Sequence, residues 1–253
     1  MVLDEMVAYK RDEVARRKAA GTAVGGPVGR PGRFREAVAA PGLVVIAEIK
    51  AASPSAGVIR RQVDPVDLAR ALEGAGAGAL SVLTDARYFG GSWEALAAVC
   101  RATRLPVLCK EIVVDPVQID DAAAAGAAAV LLMASVLDAD RLRAYRDHAR
   151  RRGLDALIEV HTAEEVAAAL AAGADLVGIN NRDLRTLEVD LETTVRLRPL
   201  IPRGILVVGE SGLQTREQVE RMERAGVDAV LVGTALMVSP DPAKTLRALR
   251  GAP

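Results

Sequence analysis

The chain is poor in lysine. Five lysines stand against 28 arginines among its 253 residues, so arginine carries the ordinary surface charge and each lysine calls for its own explanation. Cysteine is as scarce: Cys100 and Cys109 have neither CxxC nor zinc-like spacing, which argues for free thiols in a reducing compartment and no metal site. Net charge is missing too. The 33 acidic and 33 basic residues cancel, and no basic run stands out beyond Arg150-Arg151-Arg152, so nucleic acid is not expected as a partner. No long apolar run opens the chain either. Asp4, Glu5, Lys10, Arg11, Asp12 and Glu13 interrupt its first 18 residues, which excludes a signal peptide or membrane span there and predicts a cytoplasmic protein with no membrane partner.

What is abundant is aliphatic. With 51% hydrophobic residues, the chain can bury one large core. Eight short runs rich in Val, Ile, Leu and Ala read as strands: Leu43–Ile49, Ala79–Leu83, Pro106–Lys110, Ala128–Met133, Ala156–Val160, Leu176–Asn180, Ile205–Glu210 and Ala229–Val232. They are continuously apolar rather than alternating, as in parallel strands covered on both faces. Helix starts follow most of them. Asp64-Pro65 and Asp115-Pro116 place proline at a first helical position, and Thr162-x-x-Glu165 and Thr215-x-x-Gln218 read as capping boxes. Strand then helix, eight times over, predicts an α/β fold, a closed (β/α)₈ barrel. Ala75-Gly76-Ala77, Ala125-Gly126-Ala127, Ala172-Gly173-Ala174 and Ala225-Gly226-Val227 recur about every two βα units and read as helix-closing turns. Residues 1–253 form one barrel domain in this reading: a helix over Met1–Ala19 and a Gly- and Pro-rich linker over Gly21–Arg33, then the barrel from residue 34.

Chemistry in this architecture sits at the carboxyl ends of the strands. Two of the scarce lysines fall there. Lys50 follows strand one two residues after Glu48, so both point to the same side; Lys110 ends strand three, Glu159 strand five, Asn180 strand six and Glu210 strand seven. A strand-end lysine also snorkels to solvent without function, but ammonium and carboxylate groups converging from five strands suit acid–base chemistry. Desolvation is expected to lower a lysine pKa there toward neutrality. The loops after strands seven and eight, Gly209-Glu210-Ser211-Gly212 and Val232-Gly233-Thr234, let backbone N–H groups approach an anion and predict a phosphorylated small-molecule substrate.

Ile46-Ala-Glu-Ile-Lys-Ala-Ala-Ser-Pro-Ser-Ala-Gly57, Ser81-Val-Leu-Thr-Asp-Ala-Arg-Tyr-Phe-Gly-Gly-Ser92, Gly178-Ile-Asn-Asn-Arg-Asp-Leu184 and Gly209-Glu-Ser-Gly212 resemble the signatures of indole-3-glycerol-phosphate synthase. The resemblance runs from the first helix to the last. It implies a barrel with an N-terminal helical extension, no cofactor, and ring closure of 1-(2-carboxyphenylamino)-1-deoxyribulose 5-phosphate with loss of carbon dioxide and water in tryptophan biosynthesis. Lys110 resembles the family's general acid; Glu159, Lys50 and Glu48 resemble its partners in ring closure and dehydration. Asn180, Arg182 and Ser53 match positions around the anthranilate portion, Glu210 and Ser211 those around the sugar hydroxyls and phosphate, and Gly212, Gly233 and Thr234 the phosphate loops. Ser53–Gly57 resembles a mobile loop that closes over substrate.

One departure stands out. Many members have Arg-Lys-Asp-Phe where this chain has Cys109-Lys110-Glu111-Ile112, so Phe89 and aliphatics such as Leu131 are expected to supply more of the apolar contact. His148 reads as a surface residue; His161, directly after Glu159-Val160 and within reach of the mouth, reads as a helix start, and Trp93 as helix packing rather than a stack on substrate. Two other classes fit the same barrel: a sugar-phosphate lyase or aldolase using Lys110 or Lys50 as a Schiff base, and a silent barrel that only binds a phosphorylated ligand. The four residues Glu48, Lys50, Lys110 and Glu159 together argue against silence. A monomer or weak homo-oligomer is expected.

Overall fold

The computed structural model describes residues 2–20, 30–60 and 64–251. Eight parallel strands close on themselves: β1 Val44–Ile49, β2 Ala79–Leu83, β3 Val107–Lys110, β4 Ala129–Met133, β5 Asp155–Val160, β6 Leu176–Asn180, β7 Leu206–Glu210 and β8 Ala229–Val232. Each pairs with its sequence neighbours, and β1 pairs with both β2 and β8. Every strand boundary falls within one residue of the sequence expectation. The strands are mostly apolar because both faces are covered. On β1, Val44 and Ile46 join the inner cluster with Leu108, Leu157 and Val208, whereas Val45, Ala47 and Ile49 pack outward with helix residues such as Leu68 and Leu72. That alternation sends Glu48 inward and sets the side on which Lys50 emerges.

The caps follow their chemistry, with two corrections. Asp64 accepts from Val66 N and Asp67 N and places Pro65 at the first turn. Thr215 and Gln218 form the reciprocal box. Thr162 does accept from Glu165 N, but the Glu165 carboxylate reaches past it to the N–H of His161 at 2.6 Å, so this box is only half made. After Asp115-Pro116 the helix begins one residue late, at Val117, because Pro116 occupies the cap; Asp115 still accepts from Val117 N. Gly76, Gly126, Gly173 and Gly226 are all left-handed, with φ from 80 to 90°, as helix-closing turns require. Cys100 and Cys109 are free thiols.

The N-terminal extension does more than the sequence suggests. Helix α1, Val2–Ala19, is as expected, and residues 21–29 of the expected linker lie outside the described residues. Arg33, however, does not end a linker; it opens a short helix, α2, Arg33–Val38. Phe34 and Val38 are fully buried and join the inner cluster. The carboxylate of Asp155, first residue of β5, accepts from the backbone N–H groups of Gly32, Phe34 and Arg35, each at 3.0 Å. A side chain more than 100 residues away thus satisfies the orphan donors of this helix start, and α2 closes the amino end of the barrel. Among the described residues no helix is long and apolar enough to cross a membrane.

Candidate active site

The carboxyl ends of the strands surround one cavity, and all fourteen residues singled out in the sequence line it. At its floor Lys110 Nζ donates to Glu159 Oε2 at 2.7 Å and to Glu210 Oε2 at 2.9 Å. The Lys110 side chain is 12% exposed and both carboxylates 1%. Burial disfavours the ammonium, but Glu159, Glu210 and Glu48 outweigh it, and the pKa of Lys110 is raised. The expectation of a lysine tuned down toward neutrality is therefore corrected: two carboxylates beat desolvation. A lysine held as ammonium is also a poor amine nucleophile, which weighs against the Schiff-base reading. The carboxylates divide the environment unequally. Burial, opposed by Lys110 and assisted by Glu159, raises Glu210 to about 7; Glu159, equally buried, is lowered because Lys110 and His161 both hold it ionised.

A second pair sits beside the first. Lys50 Nζ donates to Glu48 Oε1 at 2.7 Å, and Ser81 Oγ reaches Glu48 Oε2 at 3.5 Å. Gly233, after β8, packs against this pair so closely that a Cβ would lie 2.5 Å from Glu48 Oε1 and 3.0 Å from Lys50 Nζ. A side chain at Gly233 would displace this pair, so close approach and not φ favours glycine there. Gly233 and Thr234 open the short helix Thr234–Val238. Ser211 and Gly212 turn the loop after β7 with φ of 66 and 81°, and the fully buried Asn181 ties that loop down by donating to Glu210 O and Ser211 O. Asn180 Oδ1 accepts from Arg182 N at 3.0 Å, and the Arg182 guanidinium donates to Leu187 O at 2.7 Å, holding it at the cavity wall. Ser53 lies on a small hairpin, Ala52–Ser53 against Gly57–Val58, where its Oγ accepts from Ala56 N.

With this geometry in view, the comparisons with known proteins are decisive. The family model described as indole-3-glycerol phosphate synthase matches residues 3–249. The chain belongs to the indole-3-glycerol phosphate synthase family. Similar proteins of that name include one from Koribacter versatilis, 46% identical over 87% of this chain and 86% of that one, and one from Desulfotalea psychrophila, 43% identical over 93% of each. An indole-3-glycerol phosphate synthase 2 from Streptomyces coelicolor is 44% identical over 99% of each. Thiamine phosphate pyrophosphorylase from Pyrococcus furiosus shares the fold, with a TM-score of 0.62 at 20% identity over 83% of this chain and 94% of that one. The synthase family consists of carboxy-lyases of tryptophan biosynthesis.

The departure from the synthase pattern after β3 is milder than the sequence suggested. Ile112 still lines the cavity, beside Phe89 and Leu131. Met6 of α1 and Met133 of β4 also line it, and sequence reading missed both; nothing in the periodicity of α1 says which side faces the mouth. A third omission was legible. Lys10 is also one of the five lysines, and it is the buried one, 1% exposed, with Nζ 2.8 Å from Asp85 and 3.2 Å from Glu111. It clamps α1 onto the residues that follow β2 and β3. Trp93 begins a helix and packs under Arg17. His148 contacts Asp120 at 2.9 Å away from the cavity.

Proposed function

We propose that the barrel mouth converts 1-(2-carboxyphenylamino)-1-deoxyribulose 5-phosphate to indole-3-glycerol phosphate, carbon dioxide and water, with Lys110 as the proton donor. The observation that carries this reading is the bridge of Lys110 between Glu159 and Glu210. As the ring carbon attacks the ketone, negative charge develops on the ketone oxygen. That alkoxide is more basic than any lysine, so a raised pKa does not prevent transfer from Lys110. The acidic groups around it, Glu159 foremost, keep a proton on Lys110. Glu159 and the Glu48–Lys50 pair, on neighbouring parts of the mouth, serve the later loss of the hydroxyl and a proton. Arg182 grips the ring carboxylate through two parallel bonds, Asn180 and Ser53 flank it, and Phe89 and Leu131 cover the ring. Ser211, Gly212, Gly233 and Thr234 hold the phosphate by backbone N–H groups.

The same reading takes residues 1–253 as one barrel domain with its N-terminal helix built in, acting in the cytoplasm without a cofactor. A monomer or weak homo-oligomer is part of the same reading. Mixing the protein with the carboxyphenylamino deoxyribulose phosphate and following indole fluorescence tests the assignment. Steady fluorescence growth is expected; binding without turnover would leave a silent barrel.

A further inference from the structure

Behind Glu159, on the side away from Lys110, stands His161. Its Nε2 lies 3.6 Å from Glu159 Oε1, and both atoms are buried without a hydrogen-bond partner. Its Nδ1 lies 3.2 Å from Glu165 Oε2, the oxygen that also accepts the His161 backbone N–H. The ring is 12% exposed and does not line the cavity, so it does not touch substrate. Two facing buried atoms left unpaired are costly. A proton on Nε2, with Nδ1 keeping its own for Glu165, turns the 3.6 Å approach into an ion pair and offsets part of that cost.

We propose that His161 is a positioning residue: as an imidazolium between Glu165 and Glu159, it anchors Glu159 by Oε1 so that Oε2 stays directed at Lys110. This role rests on the function proposed for Lys110 and Glu159. Carboxylates face the ring from three elements: Glu159 on β5, Glu165 on the following helix Ala163–Ala171, and Glu210 on β7. Lys110 on β3 is the cation beyond Glu159. Burial works against the charged ring, but the three carboxylates outweigh it and raise its pKa. The bridge therefore exists below that raised pKa and is lost as pH rises through it, which places its effect on the alkaline side of the rate profile. Asn180 also helps hold Glu159 ionised, so losing the imidazolium loosens the carboxylate rather than freeing it.

The test begins with NMR titration of the imidazoles, of which the chain has two. His161 should titrate above the usual value of about 6.5. Glu159→Gln and Glu165→Gln should each lower that pKa, and His148 should be indifferent to both. In turnover, His161→Gln should cost roughly ten- to a hundredfold in kcat, with KM little changed and the alkaline limb due to His161 gone. Glu165→Gln should move that limb to lower pH by the shift seen in NMR, and should do nothing in the His161→Gln background. A structural role alone would not move that limb. A His161 pKa indifferent to Glu159→Gln, or a folded His161→Gln enzyme within about twofold of the parent in kcat, would overturn the proposal. Should His161→Gln not fold, the Glu165→Gln limb decides. Absence of all turnover would refute the proposed function, while the NMR result would still settle the bridge.

Discussion

Glu210 Oε1 occupies the space that a methyl group on Gly178 would fill. Gly178 lies on β6 two residues before Asn180, the register partner of Glu210 on β7, and its lack of a side chain gives that carboxylate room inside the barrel. Gly178→Ala meets no backbone strain, since its φ is not left-handed. It should push Glu210 off Lys110 instead. Displacements of this size cost on the order of a hundredfold in rate. Steady-state kinetics should show that loss in kcat with the far-UV spectrum retained; an unchanged kcat would mean that Glu210 need not stand where it does.

Glu210 is also a stability liability. Its pKa is raised by burial to about 7 in the fold, against about 4.3 in an unfolded chain. The folded protein thus binds this proton more tightly, and stability falls as pH rises between those two values and stays low above them. Lys110, raised as well, contributes no slope in this window because it is protonated in both states. Glu210→Gln should therefore be inactive yet more stable at pH 8, by a few degrees in Tm, with the advantage fading toward pH 4. Thermal melts across that range check it; equal Tm values at pH 8 would remove the liability.

Much of this arrangement was legible in the sequence, and the reason is local. A parallel strand buried on both faces must be largely apolar, so the polar residues gathered near the carboxyl ends of the runs, such as Glu48, Lys50 and Lys110, mark the mouth. The unread parts depend on distant partners. Helix α2 has six residues beside a Gly- and Pro-rich stretch, and its donors are satisfied by Asp155 from the far side of the sequence. The raised pKa of Lys110 needs two carboxylates that come together only when the barrel closes. His161 lies just before the N-cap Thr162 of its helix, but which way its ring turns is decided by Glu165 and Glu159 in space.

Asp155 offers a test far from the chemistry. Its carboxylate accepts three backbone N–H groups, and bonds to a charged acceptor contribute roughly 1.5–3 kcal/mol each, less than additively. Asp155→Ala should destabilise the protein by about 3–5 kcal/mol in urea melts. It should leave kcat unaltered well below the melting temperature. A loss of kcat without a loss of stability would contradict the separation of barrel floor from barrel mouth.

Arg182 separates binding from chemistry. A carboxylate contact made before ring closure is largely uniform binding, so Arg182→Ala should raise KM more than it lowers kcat. The loss should be far larger for the native substrate than for an inhibitor lacking the ring carboxylate. Equal losses for both compounds would take Arg182 out of that role.

The central claim is proton donation by Lys110, and the direct measurement is kcat of Lys110→Arg beside Lys110→Met. Arginine keeps the charge but, with a pKa above about 12, is a poor proton donor. Methionine keeps the length and loses the charge. If Lys110 is the general acid, both variants should fall by roughly a hundred- to ten-thousandfold with the circular dichroism spectrum intact. If Lys110 acts only through its charge, arginine should recover what methionine loses, and a Lys110→Arg enzyme within about tenfold of the parent would contradict the account.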